Sequence, residues 1–454
     1  MTQSYIQQRF LRYRAFAMRA ISLARSANSR TQYRAQFTTR ASNWDWLLDP
    51  SRAYRYPECS QLLVMRIYLD YNATTPVDPA VLDAMLPYFA ETFGNASSIH
   101  SPGQRARGAV DGARASVAAL LGAKNSEIIF TSGGTESDNL ALFGVVAASQ
   151  EPRKHIITTA IEHHAVLNSA QALEKLGVAV TYIPVGREGV LDPADIRRAI
   201  TPETMLISVM HANNELGTIQ PIEEISRIAA AAKVLFHCDA VQTAGKLPLD
   251  VNRLGVDLLS ISAHKIYGPK GTGALYVRSG TPLEPQFHGG HHERDRRPGT
   301  ENVPGIVGLG KAAELARKNL MTDCARITSL RNRLEDALLA ACADARLNGK
   351  RAQRVSNTSN ISFHAAGGEA LVIALDLQGI ACSTGAACSS GAVGPSHVLM
   401  AIGLSPDEAR SSLRFSLGRT TTPEEIDQVI AVIPQAVERL RALSPLSTNA
   451  AISA

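Results

Sequence analysis

The chain has 454 residues, of which 45% are hydrophobic and 19% charged, material for one large domain and a smaller one. No apolar run approaches the roughly 18 residues that cross a bilayer, which excludes an integral membrane protein, and six cysteines (Cys59, Cys238, Cys324, Cys342, Cys382 and Cys388) without a CxxC pair describe neither a disulfide scaffold nor a zinc ribbon. The formal charge of +5 gives no argument for nucleic-acid binding, because residues 1–64 hold ten Arg, no Lys and three acids, a net +7, leaving −2 on the 390 residues that follow.

Those first 64 residues differ from everything after them. No acid precedes Asp45, Ser and Arg are abundant, and both tryptophans, Trp44 and Trp46, lie here. Such a composition suits an organellar transit peptide or a disordered extension. The strand-like run Met65-Arg66-Ile67-Tyr68-Leu69-Asp70 favours an extension ahead of a working start at Met65, and with it a cytoplasmic protein. A transit peptide would instead send the chain to a mitochondrion or another organelle.

From residue 66 onward, short β-branched runs alternate with alanine-rich amphipathic stretches. Strands are predicted at 127–131, 155–160, 178–183, 204–210, 234–238, 256–262 and 273–278, with helices between them at 104–121, 135–148, 163–176 and 222–232. That alternation predicts an α/β fold with a mainly parallel sheet. Residues 307–343 read as a long helical connection, 359–364 and 411–417 as strands of a second, smaller unit, and 423–442 as a closing helix.

Ligands of an open parallel sheet bind beyond the carboxyl ends of its strands, so the residues that follow each strand matter most. Thr131-Ser132-Gly133-Gly134-Thr135 enters a helix and offers backbone N–H groups to a phosphate. Then come Glu162-His163-His164, His211-Ala212-Asn213-Asn214, Asp239-Ala240-Val241-Gln242 and Ser262-Ala263-His264-Lys265. Each alone is ordinary: a lone His is usually a core or cap residue, and Asp after a strand is usually a helix cap. Jointly they supply a phosphate cradle, an imidazole, an amide, a carboxylate and an amine, the set that pyridoxal phosphate needs. A lysine at the mouth of a buried strand is partly desolvated, and its neutral amine can form a Schiff base.

Residues 66–444 resemble the cysteine desulfurases of the NifS/IscS branch of the class V aminotransferase superfamily. The resemblance runs through YLDYNATTP (68–76), FGNASSIH (93–100), TSGGTESDN (131–139), HANNELG (211–217), DAVQTAGK (239–246), SAHKIYGPKGTGALYVR (262–278), HERDRRPGTEN (292–302) and CSTGAACSSG (382–391). It implies a type I fold of pyridoxal-phosphate-dependent transferases. A large domain over 75–322 would carry the seven-stranded sheet, a smaller α/β domain from 66–74 and 323–444 would carry the catalytic cysteine loop, and 445–454 would be a tail.

Position by position, the resemblance implies that Lys265 carries pyridoxal 5′-phosphate, Asp239 faces its pyridine nitrogen and Gln242 its ring hydroxyl. His163 would stack on the ring and move protons, Asn214 would contact cofactor and substrate, and Gly134, Thr135, Ser262 and His264 would hold the phosphate. Thr300 would reach the phosphate of a neighbouring subunit, which implies a homodimer. Arg414 would clamp the carboxylate of L-cysteine. Cys388, in a loop of small residues, would take the sulfur as a persulfide, leaving L-alanine, and pass it to a sulfur acceptor or to iron–sulfur cluster assembly. No intrinsic metal is implied, although Cys388 would be placed to ligate an iron–sulfur cluster transiently; the histidines His288, His291 and His292 invite a metal site that spacing alone does not support.

The sequence departs from the family in small ways. Thr384-Gly385-Ala386-Ala387-Cys388-Ser389 replaces the usual Ser-Gly-Ser-Ala-Cys-Thr, and Gly394 stands where Glu usually precedes Pro395. The chain ends at Ala454, soon after Ser444-Pro445-Leu446, where members that dock an iron–sulfur scaffold protein extend further, so a NifS-type relation is expected. A selenocysteine lyase or a class V aminotransferase is the alternative reading. A non-catalytic sulfur carrier ranks last, because Lys265 and Asp239 are both present.

Overall fold

The computed structural model describes residues 67–349, 353–385 and 394–443. The expectations for residues 1–66, for Cys388 and for the tail therefore lie outside the described residues. In chain order the strands are β1 (Ile67–Tyr68), β2 (Ile128–Thr131), β3 (His155–Thr159), β4 (Ala179–Ile183), β5 (Thr204–Ser208), β6 (Leu235–Asp239), β7 (Leu258–Ser262), β8 (Gly273–Val277), β9 (Ala345–Leu347), β10 (Thr358–Phe363), β11 (Ile380–Ala381) and β12 (Ser412–Ser416). The helices used below are α1 (Pro79–Met85), α2 (Ser101–Leu121), α3 (Gly134–Ala148), α4 (His164–Lys175), α5 (Ile222–Ala232), α6 (Val303–Ala341), α7 (Gly368–Asp376) and α8 (Pro423–Leu443).

Seven strands form one sheet in the order β2-β8-β7-β6-β5-β3-β4. Strands β3 to β7 pair in parallel, whereas β8 runs antiparallel to both β2 and β7. Consecutive strand residues face opposite sides, and both sides are buried. Ile128, Phe130, Ile157, Ile207, Phe236, Leu259 and Ile261 pack with α2, α5 and α6. Ile129, Ile156, Leu206, Leu258 and Leu275 pack with α3 and α4. This three-layer α/β/α arrangement is the mainly parallel seven-stranded sheet expected from the alternation of strand and helix signals.

A separate apolar core gathers Ile67, Leu69, Ile361, Phe363, Leu371, Leu413, Phe415, Val429 and Ile433 around the antiparallel sheet β12-β10-β9, with α7 and α8 against it. The two-residue strand β1 pairs in parallel with β11 beside it. Helix α6 serves both cores: Ile306, Leu309 and Ala312 belong to the first, Ile327, Leu330, Leu334 and Leu338 to the second. Its start is capped by the Asn302 side chain, which accepts from Gly305 N–H, with Pro304 in the first turn. Gly310 lets α6 approach α2, since a Cβ there would lie 2.5 Å from the Cα of Ala113. No described helix is long and apolar enough to cross a membrane.

The edge strand β2, which feeds the loop into α3, is held by a buried ion pair. Arg114 on α2 meets both oxygens of Glu293 at 2.7 Å, and Glu293 Oε2 also accepts from Phe130 N–H at 3.0 Å. The same contacts stabilise the left-handed turn at Glu293, Arg294 and Asp295, where φ is 45°, 58° and 64°. Removing the carboxylate leaves a buried guanidinium without its counter-charge. Glu293→Ala is therefore expected to cost about 3–5 kcal/mol in denaturant unfolding; a loss below about 1 kcal/mol would mean that the pair behaves as a surface salt bridge.

Candidate active site

At the carboxyl ends of β2, β5, β6 and β7 lies a cavity of about 240 Å³. Its lining includes Gly134, Thr135, His163, Asn214, Asp239, Gln242, Ser262, His264, Lys265 and Arg414. Thr300 is exposed and does not line this cavity. His291 contacts Asp295 at 2.5 Å, and the described residues contain no group of His, Cys, Asp and Glu able to hold a metal.

The lining residues come from several strand ends, with Asp239 and Gln242 sharing one, Ser262, His264 and Lys265 sharing another, and Arg414 standing within β12.

The Gly133-Gly134 turn opens α3 towards the cavity. Gly133 has φ 156°, and Gly273 of β8 must be a glycine for the turn to fit, because a Cβ there would lie 2.6 Å from the Cα of Gly133. Lys265 follows β7 in a short 3-10 turn. Its Nζ donates to the carbonyl of Ala73 at 2.7 Å and to that of Asn72. Asn72 is a junction that the sequence reading did not single out. Its N–H donates to Ser416 Oγ at 2.9 Å, and its Nδ2 donates to Asn214 O at 3.0 Å and Thr358 Oγ1 at 2.8 Å. Met210 and Asp138 also line the cavity; Met210 carries no local signal, and Asp138 stands inside TSGGTESDN without having been given a role.

Asp239, at the end of β6, accepts from Val241 N–H at 2.9 Å. Burial raises its carboxyl above the usual range, against the opposing pull of that N–H and of Lys265. Burial likewise pushes Glu162 up to about 8. Asp138 is raised by burial and by Asp239. Among the described residues, Asp138 Oδ1 and Glu162 Oε2 are buried without a hydrogen-bond partner. Arg414 donates from Nη2 to Asp70 Oδ1 at 2.7 Å and from Nη1 to Asn214 O at 3.0 Å, and its Nε has no partner among the described residues.

His163 caps α4, with Nδ1 accepting from Ala165 N–H at 3.1 Å. Burial lowers its pKa to about 4, helped by Lys265, His164 and His397. The neutral ring must then carry its hydrogen on Nε2. In 15N-labelled protein, His163 is expected to stay neutral in that tautomer from pH 8 down to about 5; a titration midpoint near 6.5 would contradict this environment.

Residues 67–429 match the family model for aminotransferase class-V. Cysteine desulfurase IscS of Anaeromyxobacter sp. (strain Fw109-5) is 54% identical over 383 residues, covering 84% of this chain and 94% of the relative. Cysteine desulfurase IscS of Dictyoglomus turgidum is 51% identical over 379 residues, covering 84% and 96%. Among solved structures, a NifS-like protein aligns with a TM-score of 0.78 at 39% identity over 83% of this chain and 100% of that one. SspA in complex with cysteine aligns with a TM-score of 0.69 at 39% identity over 77% and 98%.

Proposed function

The chain belongs to the aminotransferase class-V family, and we propose that it is a pyridoxal 5′-phosphate-dependent cysteine desulfurase. The observation that carries this reading is one cavity lined by the Lys265 amine, the Asp239 carboxyl and the N-terminal turn of α3. These residues fit the cofactor. Asp239 has one backbone donor and a carboxyl raised by burial, and a protonated ring nitrogen beside it would supply the missing cation. Gly134, Thr135, Ser262 and His264 would hold the phosphate, Gln242 would meet the ring hydroxyl and His163 would stack on the ring. When bound, the cofactor supplies an electron sink for negative charge at the substrate Cα.

In this reading Arg414 binds the carboxylate of L-cysteine, exchanging part of its bond with Asp70, while Asn214 helps to orient the substrate. Lys265 Nζ takes the proton from Cα, and Lys265 or His163 returns protons later. The Cys388 thiolate attacks the substrate sulfur, the Cβ–S bond breaks, and Cys388 keeps the sulfur as a persulfide while L-alanine leaves. Gly385, at the root of that loop, accepts from Arg414 Nη1 at 3.4 Å, and three residues of chain reach at most about 11 Å. The persulfide then passes to a sulfur acceptor such as an iron–sulfur scaffold protein. The second core would act as the smaller domain carrying this loop. A homodimer is favoured by exposed Leu82, Leu86, Phe89, Phe93 and Ile99 near the start of the fold, and it would give exposed Thr300 its phosphate.

Purified protein loaded with the cofactor tests the reading. Lys265→Ala is expected to lose the yellow visible band and at least about 10²-fold in alanine production. Cys388→Ser is expected to keep the band and lose the persulfide. Survival of the band in the first variant, or full turnover in the second, would overturn the assigned roles.

A further inference from the structure

A second lysine stands close to this machinery without lining the large cavity. Lys246 borders a separate space of about 30 Å³, together with Asp323, Cys324, Tyr267 and Arg419, and Lys265 borders both spaces. Lys246 Nζ donates to Gln242 Oε1 at 2.9 Å and to Asn72 Oδ1 at 3.3 Å. Gln242 Nε2 donates to Asn72 O at 3.1 Å. The Lys246 carbonyl accepts from Cys324 Sγ at 3.1 Å, which fixes its backbone.

An amide has one accepting end and one donating end. With its oxygen on Lys246, Gln242 has only its NH2 end left for Asn72 O and the cavity. Turning the amide over would set its oxygen against the Asn72 carbonyl oxygen and its NH2 against the donors of a charged Lys246. Burial lowers the amine to about 7, aided by the positive charges of Lys265 and Arg414 and opposed by Cys324, yet the amine donates whether charged or neutral. We propose that Lys246 is a positioning residue that locks Gln242 with its N–H donor facing the cofactor's ring hydroxyl. The inference rests on the cofactor reading above.

The test uses the cofactor-loaded protein and the pH midpoint of its visible band. A donor to the ring oxygen favours its ionised form, so losing that donor should raise the midpoint. Lys246→Met is expected to raise it by roughly one to two pH units, Gln242→Ala by a similar amount, and the double variant by no more than Gln242→Ala alone. Lys246→Arg, which keeps donors, should lie near wild type. Should Lys246→Met not fold, Lys246→Gln is read in the same cycle, with a smaller rise expected. An unchanged midpoint, or shifts that add fully in the double variant, overturns the inference. Wild-type protein without any visible band overturns the cofactor reading and this inference together.

Discussion

The structure depends most on Asn72. Its carbonyl accepts from Gln242 and Lys265, its side-chain oxygen accepts from Lys246 and Asn357, and its side-chain amide reaches Asn214 and Thr358. One buried residue thereby joins the segment after β1 to β10, to the turn after β5, to the turn after β6 and to the lysine after β7. A buried polar group left without its partner costs about 1–3 kcal/mol, so these contacts hold one another in place. They also fix where the Lys265 amine sits before any ligand arrives.

Burial outweighs charge pairing around Asp239. Asp138, Glu162 and Asp239 are all raised, with desolvation the leading cause in each. His237 sits between Ser208 and Ser260 and is lowered to about 3, again by burial. Burial therefore works against charge on the acids beside Asp239, while Val241 N–H and Lys265 favour charge on Asp239 itself.

The seven strands of the main sheet were legible because each is a β-branched or apolar run bounded by turn residues, and burial on both faces keeps such runs continuous. Helix α1 was not read, although Asp78 caps it and Pro79 begins it, because so short a helix leaves little periodicity. Strand β9 hides behind Arg346 and β11 has only two residues, whereas β1 lies inside the strand-like run of residues 65–70. In the site, the strand-end residues were legible because open sheets bind ligands there. Asn72 and Lys246 were not, since their partners lie up to 344 residues away in the chain. Thr300 stands exposed outside the cavity, and the contact the resemblance implies for it is with a second subunit.

The described residues on either side of 386–393 meet one carboxyl. Ser396 Oγ donates to Glu215 Oε2 at 2.6 Å, and at Gly385 a Cβ would lie 2.7 Å from the same oxygen. Gly385 has φ 95°, a conformation open to glycine and strained for other residues. Glu215 is buried and raised by that burial, with Arg414 and Ser396 pulling the other way. Arg414 in turn pairs backbone to backbone with Ser383. The Arg414 guanidinium that lines the cavity, the Glu215 carboxyl, Gly385 and Ser396 are thus parts of one packed unit, so a change at any one of them is felt by the others.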